Sequence, residues 1–91
     1  MKKIVLKGLN TEIEITTNTN REELASFVDN EVNHWIGCYE DGIRRWTHEI
    51  YYCSIFDKER GHRVFNKAET VRVHTENLVR FLNEDFGIEI K

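Results

Sequence analysis

Ninety-one residues with a formal net charge of −3, 40% apolar and 32% charged, read as one soluble domain with a modest core and no second one. No apolar run approaches the ~20 residues of a membrane helix, and the charge balance excludes a polybasic nucleic-acid coat as well as a polyacidic tail. Lys2-Lys3 is followed only by Ile4-Val5-Leu6, too short an apolar stretch for a signal peptide, so Cys38 and Cys53 are expected as thiols in a reducing cytoplasm.

The first sixteen residues alternate as a β-hairpin. Closing it around Leu9-Asn10 sets Leu6 opposite Ile13 and Ile4 opposite Ile15 on one face, and Lys7 opposite Glu12 on the other. Leu-Asn is not a favoured two-residue loop, which leaves room for a longer turn using Gly8. A helix is expected from about residue 21, with caps among Asn18, Thr19 and Asn20 and with Glu22 and Glu23 in its first turn. Leu24, Phe27, Val28, Val32, Trp35 and Ile36 extend one apolar stripe to a stop at Gly37.

Residues 43–56 admit two readings. Ile43, Trp46, Ile50 and Cys53 keep helical spacing, but the wealth of aromatic and β-branched residues favours a strand, with a turn over Asp57 to Gly61 and a returning strand from His62 to Phe65. A second helix is expected after Asn66, which with Glu69 resembles a capping box. Its stripe runs through Ala68, Val71, Thr75, Leu78, Leu82 and Phe86 to Gly87, and Ile88–Ile90 offers an optional edge strand. The expected architecture is α+β: a mainly antiparallel sheet in the order ββαββα with two helices packed on one face.

Charge is segregated along the chain. Residues 1–42 carry net −4, residues 43–72 net +3 and residues 73–91 net −2, so a basic centre lies between acidic ends. Closing the central hairpin symmetrically about Glu59 puts Trp46, His48, Ile50, Tyr52, Phe56 and Val64 on one face, the better core. Arg45, Thr47, Glu49, Tyr51, Cys53, Ile55, Arg63 and Phe65 fall on the other. That second face is the expected partner-binding surface, with Tyr51, Arg63 and Phe65 at its centre and Arg45 and Arg60 at the rim. Arg and Tyr are enriched where proteins bind proteins, and they also stack on bases and pair with phosphates.

Reaction chemistry finds little support. His34-x3-Cys38 with His48-x4-Cys53 is the best zinc-like set, but it has no Cys-x2-Cys knuckle. A thiol nucleophile would need a base and an orienting group, for example Cys53 with His62 or His48 and Glu49, and no residue pattern around either cysteine marks an activated thiol. The five glycines form no phosphate-cradling cluster. No metal and no cofactor are therefore expected. The residues point to a non-enzymatic binding or inhibitor protein that occupies a surface of a larger protein partner, for example in a nucleic-acid-handling complex. Size class alone suggests a concrete version, a phage or mobile-element anti-defence inhibitor of the anti-CRISPR type. The alternative is a small nucleic-acid-binding regulator using the same basic-aromatic hairpin. An exposed edge on either hairpin also offers a contact for a homodimer.

Overall fold

Eight elements follow one another in a computed structural model that describes residues 2–91. They are β1 (Ile4–Lys7), β2 (Glu12–Ile15), α1 (Arg21–Asn30), β3 (Trp35–Glu40), β4 (Ile43–Glu49), β5 (Ser54–Asp57), β6 (His62–Phe65) and α2 (Lys67–Phe86). The strands form one antiparallel four-stranded sheet, in the order β2-β1-β3-β4, and a separate two-stranded hairpin, β5-β6. The expected α+β class is present, mostly antiparallel and with two helices.

Period-two alternation in β1 and β2 produces the register read from the sequence, with Ile4 paired to Ile15, Leu6 to Ile13 and Lys7 to Glu12. The turn between them has no positive-φ residue, as a favoured two-residue loop would. It is held from outside instead. The buried Glu31 carboxylate accepts from the Asn10 N–H (3.0 Å to each oxygen), the Thr11 N–H (2.8 Å) and the Thr11 hydroxyl (2.9 Å). The Asn10 side chain in turn donates to the Asn30 carbonyl at 2.8 Å, satisfying one of the free carbonyls at the end of α1. Gly8 is required here, because a Cβ at this position would stand 2.2 Å from the Glu31 carboxyl carbon.

The helical stripe expected as far as Gly37 stops early. α1 ends at Asn30, and Asn33 adopts φ 68°, turning the chain back into β3. Trp35–Glu40 is a strand in which Ile36 and Cys38 are buried while Trp35 faces outward, so Gly37 lies mid-strand rather than at a helix end. Asp41 and Gly42, with φ 50° and 85°, then form the tight turn into β4; a positive φ at both central residues is the geometry that favours Asp-Gly between antiparallel strands.

α2 spans the expected range. The Asn66 side chain accepts from the Glu69 N–H at 2.8 Å, and Gly87 ends the helix in the left-handed region at φ 67°. α1 runs antiparallel to the first half of α2, with Arg21 paired to Glu76 and Lys67 to Asp29. Leu24, Phe27 and Val28 of α1, and Leu78 and Leu82 of α2, meet Ile4, Leu6, Ile15, Ile36 and Cys38 of the sheet in one buried cluster. Trp46 of β4 stacks on Phe81 with ring centroids 4.2 Å apart. Ile88–Ile90 forms no strand; Ile90 is buried in the core, and the Lys91 carbonyl accepts from the Arg21 N–H at 3.2 Å.

Burial pushes the Glu31 carboxyl up, but the Asn10, Thr11 and Leu9 backbone donors and the Thr11 hydroxyl outweigh it and hold the group below its ordinary value. Its contribution is therefore complete above the unfolded-state pKa and is lost as pH falls through the lower folded value. Replacing Glu31 by Gln turns an N–H donor toward these donors and is expected to destabilise the fold by ~1–3 kcal/mol at neutral pH. The exposed Glu14→Gln control should stay within about 0.5 kcal/mol of the parent. Urea unfolding of both variants checks this; equal midpoints would show that the carboxylate does not hold the turn.

Candidate functional site

The route from β4 into the β5-β6 hairpin positions the residues singled out from the sequence. Ile50 is buried and its N–H donates to the His34 carbonyl at 3.0 Å, which ends β4 against the core. Three contacts then fasten the chain to α2 and its cap. His74 Nε2 lies 3.0 Å from the Tyr51 carbonyl, Thr70 Oγ1 accepts from the Cys53 N–H at 2.8 Å, and the Asn66 N–H donates to the Cys53 carbonyl at 2.9 Å. Beyond this base the hairpin projects as an arm.

The arm closes between Asp57 and His62, with Phe56 opposite Arg63, Ile55 opposite Val64 and Ser54 opposite Phe65. This register is displaced by one from closure about Glu59. Asp57 sets it: its carboxylate accepts from the Glu59 and Arg60 N–H groups (3.0 and 3.2 Å), and its carbonyl accepts from Gly61, which takes φ 74°. The shift moves Phe56 out of the expected core and onto the face of Arg63 and Phe65, leaving Ile55 with Val64 on the reverse. Phe56 is 56% exposed and Phe65 76%. Arg63 is held rather than free, since its guanidinium donates to Ser54 Oγ (2.9 Å) and the Ser54 carbonyl (2.7 Å). Tyr52 packs near Phe65 with ring centroids 5.6 Å apart.

Of the five residues expected to bind a partner, Arg60 lies in the turn of the arm and Arg63 and Phe65 on one face of its second strand, whereas Tyr51, 51% exposed, turns toward α2 with its ring edge-on to His74, centroids 4.7 Å apart. Arg45 does not join them. It pairs with Glu40 at 2.6 Å and stands 5.9 Å over the Phe86 ring, at the far end of α2; twenty helical residues separate the two ends by ~30 Å. A register irregularity at Cys38/Tyr39 also gives β4 one residue more than β3 at this point, so Arg45 leaves the face of Thr47. Phe56 and Tyr52 were missed because the one-residue register error assigned them to the core.

The outward face of the large sheet is a second surface that helical spacing concealed. Trp35, 62% exposed, Tyr39, Lys7, Arg44 and Thr47 line a groove of about 560 Å³. The reading of Trp35 as a buried helix residue hid it; the alternation Trp35-Gly37-Tyr39 against Ile36-Cys38 was the available signal.

The thiols and imidazoles are placed differently from the set considered for zinc. No group of three or more His, Cys, Asp or Glu side chains among the described residues is gathered closely enough to hold a metal. Cys38 lies in the core, where burial, with Asp85 adding repulsion, pushes its thiol up to about 11, so it is protonated at neutral pH. His34 sits beside Glu31, with Nδ1 3.8 Å from the carboxylate. His48 stacks on Trp46 and bonds the fully buried His74, Nε2 to Nδ1 at 3.0 Å. Because the Tyr51 carbonyl can only accept, His74 donates through Nε2 and its Nδ1 accepts from His48. His74 is thus neutral in the folded protein, and burial favours the neutral ring at His48 as well.

Comparison with known proteins gives no matching family model, no matching curated protein and no matching solved structure. Among the described residues, no helix is long and apolar enough to cross a membrane.

Burial holds both imidazoles below their ordinary value; His74 adds repulsion on His48 and Glu49 opposes it, while the bond to the Tyr51 carbonyl partly restores His74. Between the folded and unfolded values the unfolded chain binds more protons, so stability is complete above the unfolded pKa of about 6.5 and falls as pH drops below it. Urea midpoints measured from pH 7.5 to 5.5 should decline, at no more than ~1.4 kcal/mol per pH unit for each ring. The decline should weaken in His74→Gln; a flat profile in the parent protein would rule out a neutral buried pair.

Proposed function

We propose that this protein is a non-enzymatic binding protein that acts by occupying a surface of a larger protein partner with its β5-β6 arm. The observation that carries the reading is the exposure of Phe56 and Phe65 on one face of a projecting hairpin, around an Arg63 fixed in place by Ser54. A two-stranded hairpin is marginal in water unless something packs on it. Aromatic and arginine side chains are the residue types that dominate binding energy at protein interfaces. The preset geometry of Arg63 also lowers the ordering cost of association.

Charge favours a protein surface over a phosphate backbone at this place. Lys58, Arg60 and Arg63 share the arm with Asp57 and Glu59, and Arg60 lies 3.5 Å from Asp57. Arg60 is drawn to Asp57 and Arg63 is held by Ser54, which leaves Lys58 alone to meet a phosphate, so counterion release on the arm is small. An inhibitor of a nucleic-acid-handling complex, of the anti-CRISPR type, is the concrete version we carry forward. Its support is the size class of the chain, whereas the support for protein docking is the chemistry of the arm.

The test is capture of partners from the native host by tagged protein, compared with Phe65→Ala, Arg63→Glu and Tyr51→Ala. Loss of the same captured protein by ~10-fold or more in Phe65→Ala and Arg63→Glu, with unchanged circular dichroism, is the expected result. Capture indifferent to all three variants would remove the arm from consideration. A concentration-dependent dimer in sedimentation, abolished by Phe65→Ala, would assign the arm to a second copy instead.

A further inference from the structure

The two helices cover only one side of the four-stranded sheet. The other side is open, and its centre is unusual in composition. β3 presents Trp35, Gly37 and Tyr39 outward, β1 presents Lys7 beside them, and β4 presents Arg44 and Thr47. We propose that this face binds a single-stranded nucleic-acid segment, with bases stacking on Trp35 and Tyr39 and phosphates meeting Lys7 and Arg44.

Gly37 makes the platform. A Cβ at that position would lie 2.9 Å from Tyr39 Cε2 and 3.3 Å from its hydroxyl oxygen, so the tyrosine ring reclines across the glycine. A ring lying along the sheet turns one face outward, covered here only by the Lys7 ammonium, and that is the face on which a base would stack. Open antiparallel sheets with aromatic rings at their centre are a recurring way to hold unpaired bases. Trp35 stands four residues away on the same strand, ~13 Å along its axis. One base cannot cover both rings at that separation, so the site fits a chain of bases rather than a lone nucleotide.

The two cations complete the match. Arg44 is opposite Tyr39 in register, and the Lys7 ammonium rests 5.3 Å from the Tyr39 ring centroid. Neither forms an ion pair with any described residue, not even Lys7 with Glu12, its partner across the strand. The Lys7 contact with the ring is weak, ~0.5–1 kcal/mol at an exposed site. Base stacking contributes ~1–3 kcal/mol, so an incoming base displaces the ammonium toward its own phosphate. Glu12 and Glu14 on β2, and Glu49 opposite Trp35 on β4, offset the two cations of this face, so stacking on the rings rather than counterion release carries the affinity. The site is independent of the arm.

The test is fluorescence anisotropy of labelled octameric oligouridylate and oligothymidylate with the whole chain at low salt. Competition by unlabelled uridine monophosphate and by a polyglutamate peptide forms the second arm. The expected result is binding to an octamer, a log–log salt slope near ~−1.4 for two phosphates, and uridine monophosphate weaker by ~10-fold or more. Trp35→Ala and Tyr39→Ala should each reduce affinity by ~10-fold, and Lys7→Ala or Arg44→Ala should each flatten the slope by ~0.7. Asn18→Ala, exposed in the loop before α1, should leave oligonucleotide affinity unchanged. All four face variants alter outward side chains, and circular dichroism verifies their folding. Absence of binding at low salt, equal affinity for the mononucleotide, equal competition by polyglutamate, or loss in Phe65→Ala but not in Trp35→Ala would each overturn the proposal.

Discussion

One buried carboxylate organises the first half of this chain. Glu31 has no solvent contact, and such a charge is tolerated only where fixed dipoles replace the lost water. Here the dipoles are the N–H groups of the β1–β2 turn and the Thr11 hydroxyl, all aimed at the same two oxygens. Because Glu31 also caps α1, with its own N–H on the Val28 carbonyl, the group that closes the hairpin is the one at which the helix stops. His34, three residues on, opens the path into β3 and accepts Ile50 from the end of β4. Turn, helix end and central strand are thus coupled through a single side chain.

That coupling explains both the success and the failure of reading the fold from sequence. The β1–β2 register was legible because alternation alone fixes which residues face the core. α2 was legible because Asn66 and Gly87 mark its ends by local chemistry. The end of α1 was not, because its cause lies about twenty residues upstream, in a turn that needs the Glu31 side chain. Spacing gave no help either: Val32, Trp35 and Ile36 continue a helical stripe while residues 35 to 39 also alternate as a strand. The Asp41-Gly42 pair would have decided the matter, since two positive-φ positions in succession demand antiparallel strands on either side.

The candidate surfaces show how sensitive a functional reading is to register. Displacing the arm by one residue put Phe56 in place of Ile55 on the candidate face, whereas Arg63 and Phe65 kept their places. Arg45 was misplaced by one extra residue in β4. The basic centre seen along the chain is therefore divided in space, with Arg45 near the end of α2 and Arg60 and Arg63 near its start. α2 acts as a spacer between them, its second half packed on the sheet through Phe81 and its first half holding the arm through Thr70 and His74.

The base of the arm has a consequence for how the molecule can change. The Cys53 carbonyl and the Asn66 N–H satisfy each other at 2.9 Å, so residues 54–65 leave and re-enter the body at a point already closed. A segment bounded in this way can be excised for a short turn, or grafted with another hairpin, without orphaning a backbone group in the interior. Two histories are then open to one chain, a slow one for the scaffold and a fast one for what it displays.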